Sequence, residues 1–258
     1  MAENILDVSV IMPALNEEKN ILLAIKNALK AFEECGITGE IIVINDGSKD
    51  RTKEIVESFL CSDKRVRIFN HIKPQGIGTS FWDGVDNAYG ASIVLLPGDN
   101  ENDPWEIFRY FKLLEQVDII IPFVFNKEAR SIFRNTLSFV YRFIINSTFL
   151  VNFNYTNGTV LYRRSMLKEL GFKSTGFFFQ TDILVRIVKK GYLFAEVPYR
   201  LGLRKDGVSK AVTFPSLFKV IKGYLRLVRD FYFTKSLKAN EAFSIDSSTA
   251  SRKQKTNI

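Results

Sequence analysis

The stretch "EIIVINDGSKDRTKEIVESFL", residues 40–60, decides the fold class. It begins with a run of apolar, β-branched residues, Ile41–Ile44, which ends at Asn45 and Asp46. After a Gly-Ser turn, apolar residues recur at helical spacing. A short uninterrupted apolar run is typical of a strand buried on both faces, as in parallel sheets covered by helices. The stretch therefore predicts a strand, a turn and a helix of an α/β fold.

The same unit recurs through the first half of the chain. Strands are predicted at residues 8–13, 40–46, 65–70 and 92–98, with amphipathic helices between them. We expect a Rossmann-like, mainly parallel sheet with helices on both faces. In such sheets ligands bind at the carboxyl ends of the strands, so the polar clusters at 13–17, 45–48 and 97–103 should converge on one edge. Two further strands are expected in "GTVLYRR" and "LFAEVPYRL", the latter with a proline typical of an edge strand.

Composition limits the kind of protein. The chain has 258 residues, of which 46% are hydrophobic and 25% charged, as expected for a globular α/β domain with appendages. Its net charge of +8 indicates an anionic partner, such as a nucleotide, a phospholipid or a nucleic acid. Cys35 and Cys61 have no metal-binding spacing and are expected to be free thiols in a reducing compartment. Neither a signal peptide nor a spanning helix is expected.

Carboxylates crowd the end of the fourth strand. In "VLLPGDNENDP", residues 94–104, Asp99 and Glu101 flank one asparagine and Asp103 follows. Like charges this close repel each other, and a bound cation would remove the repulsion. The alternative is that Asp99 begins a turn and that Asp103, before a proline, starts a helix. That alternative explains Asp103 better than it explains the other two acids together.

The ordered segments resemble a known family. "VSVIMPALNEEKNI", "EIIVINDGSKDRT", "QGIGTSFWDG" and "VLLPGDNENDP" have the order and spacing found in family 2 glycosyltransferases. Downstream, "GTVLYRRSMLKEL" and "GFFFQTDILVRIVKKGYLFAEVPYRLGLRKDGVSK" resemble its dolichyl-phosphate mannose synthase-like, or polyprenyl-phosphate glycosyltransferase, branch. The resemblance covers about residues 7–210. It implies a GT-A fold and an inverting, hexosyl-type transferase that uses a nucleotide-activated sugar and Mg²⁺ or Mn²⁺.

The resemblance also implies binding residues. The family's metal-binding Asp-x-Asp motif falls on Pro97 and Asp99, so Asp99 and Glu101 are the implied metal ligands, and oxygen ligands suit Mg²⁺ or Mn²⁺. The implied nucleotide-binding residues are Pro13, Asn16, Glu17, Asn45, Asp46 and Gly98. Taken alone, the segment around Asp46 also fits an ordinary strand–turn–helix junction. Asn45 stands where the family usually has an acid, so the base is not named.

Asp99, Gln180 and Asp182 are the candidate catalytic residues. The last two lie at the start of a predicted helix, where relatives place side chains near the sugar and acceptor. A hydroxyl acceptor must lose its proton, so Asp182 is a candidate general base for that acceptor, whereas an ionised phosphate needs none. The alternative is an acid favoured by the helix dipole. His71 shows no acid or cysteine partner at ligand spacing and is expected to be structural.

Basic residues are candidates for the diphosphate or the acceptor phosphate, and at most half of them are expected to touch ligand. They are Arg130, Arg134, Arg204, Lys205 and Lys210.

A C-terminal helix is predicted to lie on a membrane. On a helical wheel the basic residues of 213–237 form a narrow strip beside a wide apolar face, which is typical of an interfacial helix. The alternative is a helix packed on its own domain. Residues 130–150 are expected at the same surface. The predicted organisation is a GT-A domain at 1–212, the amphipathic helix at 213–237 and a disordered tail at 238–258.

Three functions remain open at this point. The first is transfer of a sugar from a nucleotide donor to a polyprenyl or dolichyl phosphate at the cytoplasmic membrane face, for cell-envelope glycan synthesis. The second transfers to a hydroxyl of a surface glycan or lipid-linked saccharide. The third is a degenerate nucleotide-sugar-binding homologue, suggested by Pro97 and Asn45. No nucleic-acid partner is expected.

Overall fold

A computed structural model of the chain describes residues 6–126, 132–200, 214–234 and 242–256. Within these ranges one seven-stranded sheet forms the centre of the molecule. Its strands are β1 Val8–Ala14, β2 Gly39–Asn45, β3 Val66–Asn70, β4 Ser92–Leu95, β5 Ile119–Val124, β6 Leu161–Arg163 and β7 Phe194–Tyr199. The strand order is β3-β2-β1-β4-β6-β5-β7, and only β6 runs antiparallel to its neighbours. The predicted α/β class and the edge position of β7 are confirmed.

Helices cover both faces of the sheet. They are α1 Ile21–Cys35, α2 Thr52–Phe59, α3 Ile77–Asp86, α4 Trp105–Phe108, α5 Ile132–Phe149, α6 Arg164–Lys168, α7 Phe179–Lys190, α8 Phe214–Tyr232 and α9 Ser248–Thr256, with a short 3₁₀ helix at Phe111–Glu115. Successive strand side chains point to opposite faces. Ile11 of β1 therefore packs in the cluster with α3, α5, α7 and α8, whereas Val10 and Met12 pack in the cluster with α1, α2 and α4.

Helix α1 shows how sequence and packing agree. Its apolar residues recur at helical spacing and are buried, and the helix ends at Gly36, whose φ of 63° is the left-handed conformation that glycine tolerates. At the start of β2, a Cβ on Gly39 would lie 2.6 Å from the ring of Phe32. Glycine there lets the buried Phe32 ring lie directly on the strand.

The predicted disordered tail is wrong for residues 242–256. This segment includes helix α9 and packs on the sheet through Ser247, Ser248 and Thr249, which are all buried. The physical reason is the carboxylate of Asp118, which is completely buried just before β5 and needs hydrogen-bond donors. The backbone N–H of Ser248 donates to it at 2.6 Å.

Helices α5 and α8 pack on each other and expose apolar side chains. The hydroxyl groups of Thr148 and Tyr224 lie 2.9 Å apart, and the Phe149 ring contacts Tyr224 and Phe231 edge-on. The exposed apolar residues are Ile132, Leu137, Phe139, Val140, Phe143 and Ile144 on α5 and Leu217, Phe218, Ile221, Leu225 and Tyr232 on α8. We call this set the amphipathic surface. In the part of the chain that is described, no helix is both long and apolar enough to cross a membrane.

Candidate active site

The loops that follow β1 and β2 are fastened together at the carboxyl edge of the sheet. Asn16 has a left-handed φ of 58°, its N–H donates to Ser48 Oγ at 3.0 Å, and its Oδ1 accepts from Lys49 N at 2.8 Å. The N–H of Glu17 donates to Thr52 Oγ1 at 2.8 Å. Pro13 and Asn16 were predicted to line the nucleotide pocket with Glu17. The structure places all three at this edge and shows that the Asn16 amide oxygen fixes the loop.

Asp50 supports the same junction. Its carboxylate accepts from the N–H and hydroxyl of Thr52, the first residue of α2, and from Glu18 N. Burial opposes ionisation of this carboxyl, but these hydrogen bonds outweigh it and lower the pKa of Asp50 below its usual value. These hydrogen bonds join the two loops to each other and to the first turn of α2.

Asp46 fixes the next loop. Its carboxylate is only 5% exposed and accepts from Gln75 N at 2.7 Å and Gly76 N at 2.8 Å. A Cβ on the neighbouring Gly47, whose φ is 73°, would lie 2.8 Å from the Lys73 backbone. Asp46 was predicted to hold the nucleotide. In the structure most of its acceptor capacity serves the segment that leads into α3.

His71 lies between two acids. Its Nδ1 is 2.7 Å from Asp46 Oδ1 and its Nε2 is 2.9 Å from Asp83 Oδ2. No acid stands at ligand spacing from His71 in the sequence, and its two acid partners, 25 and 12 residues distant, meet it only through the sheet and α3. The ring, 9% exposed, thus joins the carboxyl end of β2 to α3.

The asparagine at 45 also has a structural explanation. Its Nδ2 donates to Asn70 Oδ1 at 2.8 Å on the neighbouring strand, while its Oδ1 accepts from Ser48 N at 3.1 Å. A carboxylate offers no donor for the first bond. Asn45 therefore ties β2 to β3 and to the turn after β2.

The acidic loop, residues 97–103, follows β4. The N–H of Gly98 donates to Pro13 O at 2.9 Å, and a Cβ on Gly98 would lie 2.7 Å from Ile21 Cδ1, so glycine allows this close approach. Asp99 Oδ1 accepts from Glu101 N at 3.1 Å, which forms a tight turn. Asp103 Oδ1 accepts from Trp105 N at 3.0 Å, so the predicted alternative, that Asp103 starts a helix, is confirmed.

The donor set of this loop fits a hard cation shared with a phosphate ligand. Over the described residues, no group of three or more His, Cys, Asp or Glu side chains is placed to form a metal cage. Mg²⁺ is often bound by one or two carboxylates together with waters and phosphate oxygens. Two carboxylates on one ordered loop, Asp99 and Glu101, match that requirement. Glu101 also borders a groove of about 590 Å³ between the loop and α1.

The amino-terminal turn of α7 carries Gln180 and Asp182. Gln180 Nε2 donates to Gly158 O at 2.5 Å. Asp182 is 2% exposed and accepts from Arg186 Nε at 3.0 Å, and Arg186 in turn donates to Asp230 of α8 at 2.8 Å. Burial raises the pKa of the Asp182 carboxyl, against the opposing effect of Arg186. This arrangement supports a structural role for Asp182, and its role as a general base stays a prediction.

The basic candidates are not tested by the structure. Arg130, Arg204, Lys205 and Lys210 lie outside the described residues, and so does the side chain of Arg134, which is on α5. The structure adds residues that the sequence pattern did not indicate, namely Asn27, Asp83 and Tyr199. Their partners are distant in sequence, and no local motif marks them.

A sheet of this order, with one antiparallel strand and with polar loops gathered at one edge, has the GT-A fold. The chain belongs to glycosyl transferase family 2, whose model matches residues 9–171. The fold continues past that range, because β7 ends at Tyr199. The recognised family, the fold class and the enzyme class are therefore confirmed.

The chain is similar to proteins whose names specify different acceptors. An uncharacterized protein, MJ0544 of Methanocaldococcus jannaschii, is 25% identical over 84% of this chain and 97% of its own length. Undecaprenyl-phosphate 4-deoxy-4-formamido-L-arabinose transferase of Pectobacterium carotovorum is 30% identical over 54% of this chain, a match that spans only 42% of that enzyme. Glucosyl-3-phosphoglycerate synthase of Mycobacterium tuberculosis, crystallised with Mn²⁺, UDP and phosphoglyceric acid, is 18% identical with a TM-score of 0.66, over 86% of this chain and 78% of that one.

Proposed function

We propose that this glycosyltransferase moves one sugar from a nucleoside diphosphate sugar to a polyprenyl phosphate, with inversion, at the cytoplasmic surface of a membrane. The observation that carries the proposal is the amphipathic surface of α5 and α8, because these two helices also pack against α7, the helix that bears Gln180 and Asp182. The hydroxyl groups of Tyr141 on α5 and Thr181 on α7 lie 2.8 Å apart, and Arg186 of α7 donates to Asp230 of α8 at 2.8 Å.

The donor nucleotide is assigned to the carboxyl edge of the sheet. The ordered loops bearing Pro13, Glu17, Asp46 and Gly98 meet there, and family 2 membership supports a nucleotide sugar as donor. UDP is the nucleotide present in solved structures of similar fold, with Mn²⁺ or Mg²⁺. Pre-ordered loops reduce the entropy lost on binding.

Asp99 and Glu101 would hold the divalent cation. When bound, such a cation neutralises the charge that grows on the departing diphosphate. The attacking atom is a phosphate oxygen of the acceptor, which forms a bond to the anomeric carbon while the bond from that carbon to the diphosphate breaks. The products are a polyprenyl phosphosugar and a nucleoside diphosphate. Because an ionised phosphate has no proton to lose, a buried and ion-paired Asp182 is compatible with this reaction.

The lipid acceptor is supported by chemistry and by one relative. The exposed apolar side chains gathered on α5 and α8 are typical of an interaction site. Four exposed basic residues of α8, Lys219, Lys222, Arg226 and Arg229, complement anionic headgroups. The name of the Pectobacterium enzyme specifies undecaprenyl phosphate, the same class of acceptor. Arg130, Arg134, Arg204, Lys205 and Lys210 are proposed to supply charge for the phosphates.

Donor and acceptor are tested separately with the full chain. A panel of nucleotide sugars with Mn²⁺ is screened by thermal shift, and the donor that raises the melting temperature is then used radiolabelled with undecaprenyl phosphate. Label in the organic phase supports the proposal, whereas label only in water-soluble glycan supports a hydroxyl acceptor. Asp99→Asn keeps an oxygen for the turn to Glu101 and should abolish turnover. Full activity in that variant would refute the metal assignment, and no turnover by the wild type with any donor would indicate a degenerate binding protein.

Membrane docking is tested by sedimentation with vesicles containing anionic phospholipid. Each lysine near such a surface contributes about 1 kcal/mol, so Lys219→Glu with Lys222→Glu should weaken binding by at least about tenfold. Lys64→Glu with Lys168→Glu makes the same charge change at exposed positions elsewhere and should have a much smaller effect. Equal losses in both pairs would show nonspecific attraction only, and no wild-type binding would overturn the docking proposal.

A further inference from the structure

Acids and amides alternate in the acidic loop. Asp99 and Glu101 are the proposed cation ligands. Asn100 follows Asp99, and Asn102 follows Glu101. The two amides bond to different parts of the domain, and each bond fixes one point of the loop.

The first tether comes from α1. Asn27 Nδ2 donates to Asn100 Oδ1 at 2.9 Å. Asn100 has a left-handed φ of 56°, a conformation that asparagine adopts more readily than most residues. The tether therefore holds the loop at the residue between the two acids, where the backbone reverses.

The second tether comes from the end of β7. The hydroxyl of Tyr199 donates to Asn102 Oδ1 at 3.0 Å. Tyr199 is 3% exposed, and its strand pairs in register with β5, so its ring is fixed. Burial raises the pKa of Tyr199 above its ordinary value, which keeps the phenol protonated as a donor.

We infer that Asn27 and Tyr199 are positioning residues that hold the acidic loop so that Asp99 and Glu101 can receive a divalent cation together. This inference rests on the proposed function. Mg²⁺ requires near-ideal octahedral geometry, so two ligands on one loop must be placed before binding or ordered during it. The hydrogen bonds from α1 and β7 supply that placement. Neither residue touches the cation, and both act through the asparagines.

The test measures Mn²⁺ binding directly. Free Mn²⁺ is followed by electron paramagnetic resonance in titrations of the full chain with and without UDP. Tyr199→Phe removes one hydroxyl and keeps the ring, and Asn27→Ala removes the other tether at a partly exposed site. Loss of residues that orient metal ligands lowers metal affinity by about 10–100-fold, so each variant should raise the Kd for Mn²⁺ by at least about tenfold. Turnover should recover at saturating Mn²⁺.

Matched controls separate positioning from general loss of stability. Tyr192→Phe removes a buried phenol hydroxyl near the other end of β7, where it donates to Glu169 at 2.7 Å. Lys26→Ala alters an exposed residue of α1 beside Asn27. Both controls should leave the Kd for Mn²⁺ within about twofold. Asn27→Gln, which keeps an amide donor, should restore part of the affinity.

The outcomes discriminate between the inference and the function on which it rests. Wild-type affinity for Mn²⁺ in both Asn27→Ala and Tyr199→Phe would overturn the positioning role and leave the proposed function intact. A wild-type chain that binds no Mn²⁺ with or without UDP would overturn the metal assignment itself. If Tyr199→Phe unfolds, Asn27→Ala alone decides the inference.

Discussion

Replacing Asp118 by asparagine perturbs the carboxylate that joins the C-terminal tail to the sheet. Asp118 is completely buried and accepts five hydrogen bonds. Its Oδ1 accepts from Ser248 N at 2.6 Å and Arg163 Nε at 3.2 Å. Its Oδ2 accepts from the N–H groups of Leu193 and Thr249 at 3.2 Å each and from the Thr249 hydroxyl.

The expected magnitude follows from this geometry. An asparagine has one acceptor oxygen, so in either amide orientation two N–H donors face an NH₂ group and lose their acceptor. A buried donor without an acceptor costs about 1–3 kcal/mol, and Arg163 also loses its buried charge partner. We expect Asp118→Asn to lower the free energy of unfolding by about 3–5 kcal/mol. The tail should detach first, since in either orientation one of its two backbone N–H groups, that of Ser248 or that of Thr249, loses its acceptor.

Urea unfolding followed by circular dichroism gives the stability change, and limited trypsin digestion after Arg252 and Lys253, which are exposed but helical, reports local unfolding of α9. Asp246→Asn is the matched control, because it makes the same chemical change on an exposed carboxylate of the same segment and should change stability by less than about 0.5 kcal/mol. A loss below about 1 kcal/mol in Asp118→Asn, with the tail still protected from trypsin, would refute the reasoning.

Three further results are expected. Tyr162→Phe should leave stability unchanged or raise it by up to about 1–3 kcal/mol in urea unfolding, because the buried Tyr162 hydroxyl lacks a hydrogen-bond partner in the described part of the chain; a clear loss would contradict this. Hydrogen bonds from Arg65 lower the pKa of Asp63 below 3.8. The ionised Asp63 carboxylate therefore stabilises the fold above that pH, and this stabilisation disappears as the pH falls further. Asp63→Asn should flatten the dependence of the free energy of unfolding on pH in this acidic range. Gly90→Ala should destabilise by about 1–3 kcal/mol, since a Cβ there would lie 2.4 Å from the backbone of residues 8–9; an unchanged melting temperature would exclude the clash.

The strands that could be predicted are those whose sequence is a short, nearly uninterrupted run of apolar residues. The apolar runs of β1 and β2 were predicted to within a residue, and β7 was predicted with its edge proline. Strand β5, Ile119–Val124, was not predicted, because Pro122 interrupts a run that otherwise has strand character. In the sheet Pro122 lies opposite Val197 of β7, and β5 stays a strand because it pairs with β7 on both sides of the proline. The local sequence of β5 does not reveal this pairing.

The tail shows a different limit. Its serines, threonines and lysines have the composition of a disordered segment, and composition alone supports that prediction. The segment is ordered by Asp118, which lies 130 residues earlier and can be satisfied only by donors from elsewhere. A buried acceptor can receive its hydrogen bonds from donors that are far away in the sequence. The local sequence around the acceptor, or around the donors, therefore does not reveal the pairing.

The strand-end motifs also make hydrogen bonds within the protein. Asn16, Asn45 and Asp46 match positions that the family resemblance assigns to the nucleotide, yet their side chains bond mainly to backbone and side-chain groups of the protein. The residues of a family motif therefore have two kinds of role. Some contact the ligand, and others stabilise the loop that contacts it. Substitution of Asn45 or Asp46 should then disturb the loops even without a donor present. Loss of activity in such variants would not by itself identify a nucleotide contact, whereas Asp99→Asn, which preserves its turn, separates the two roles.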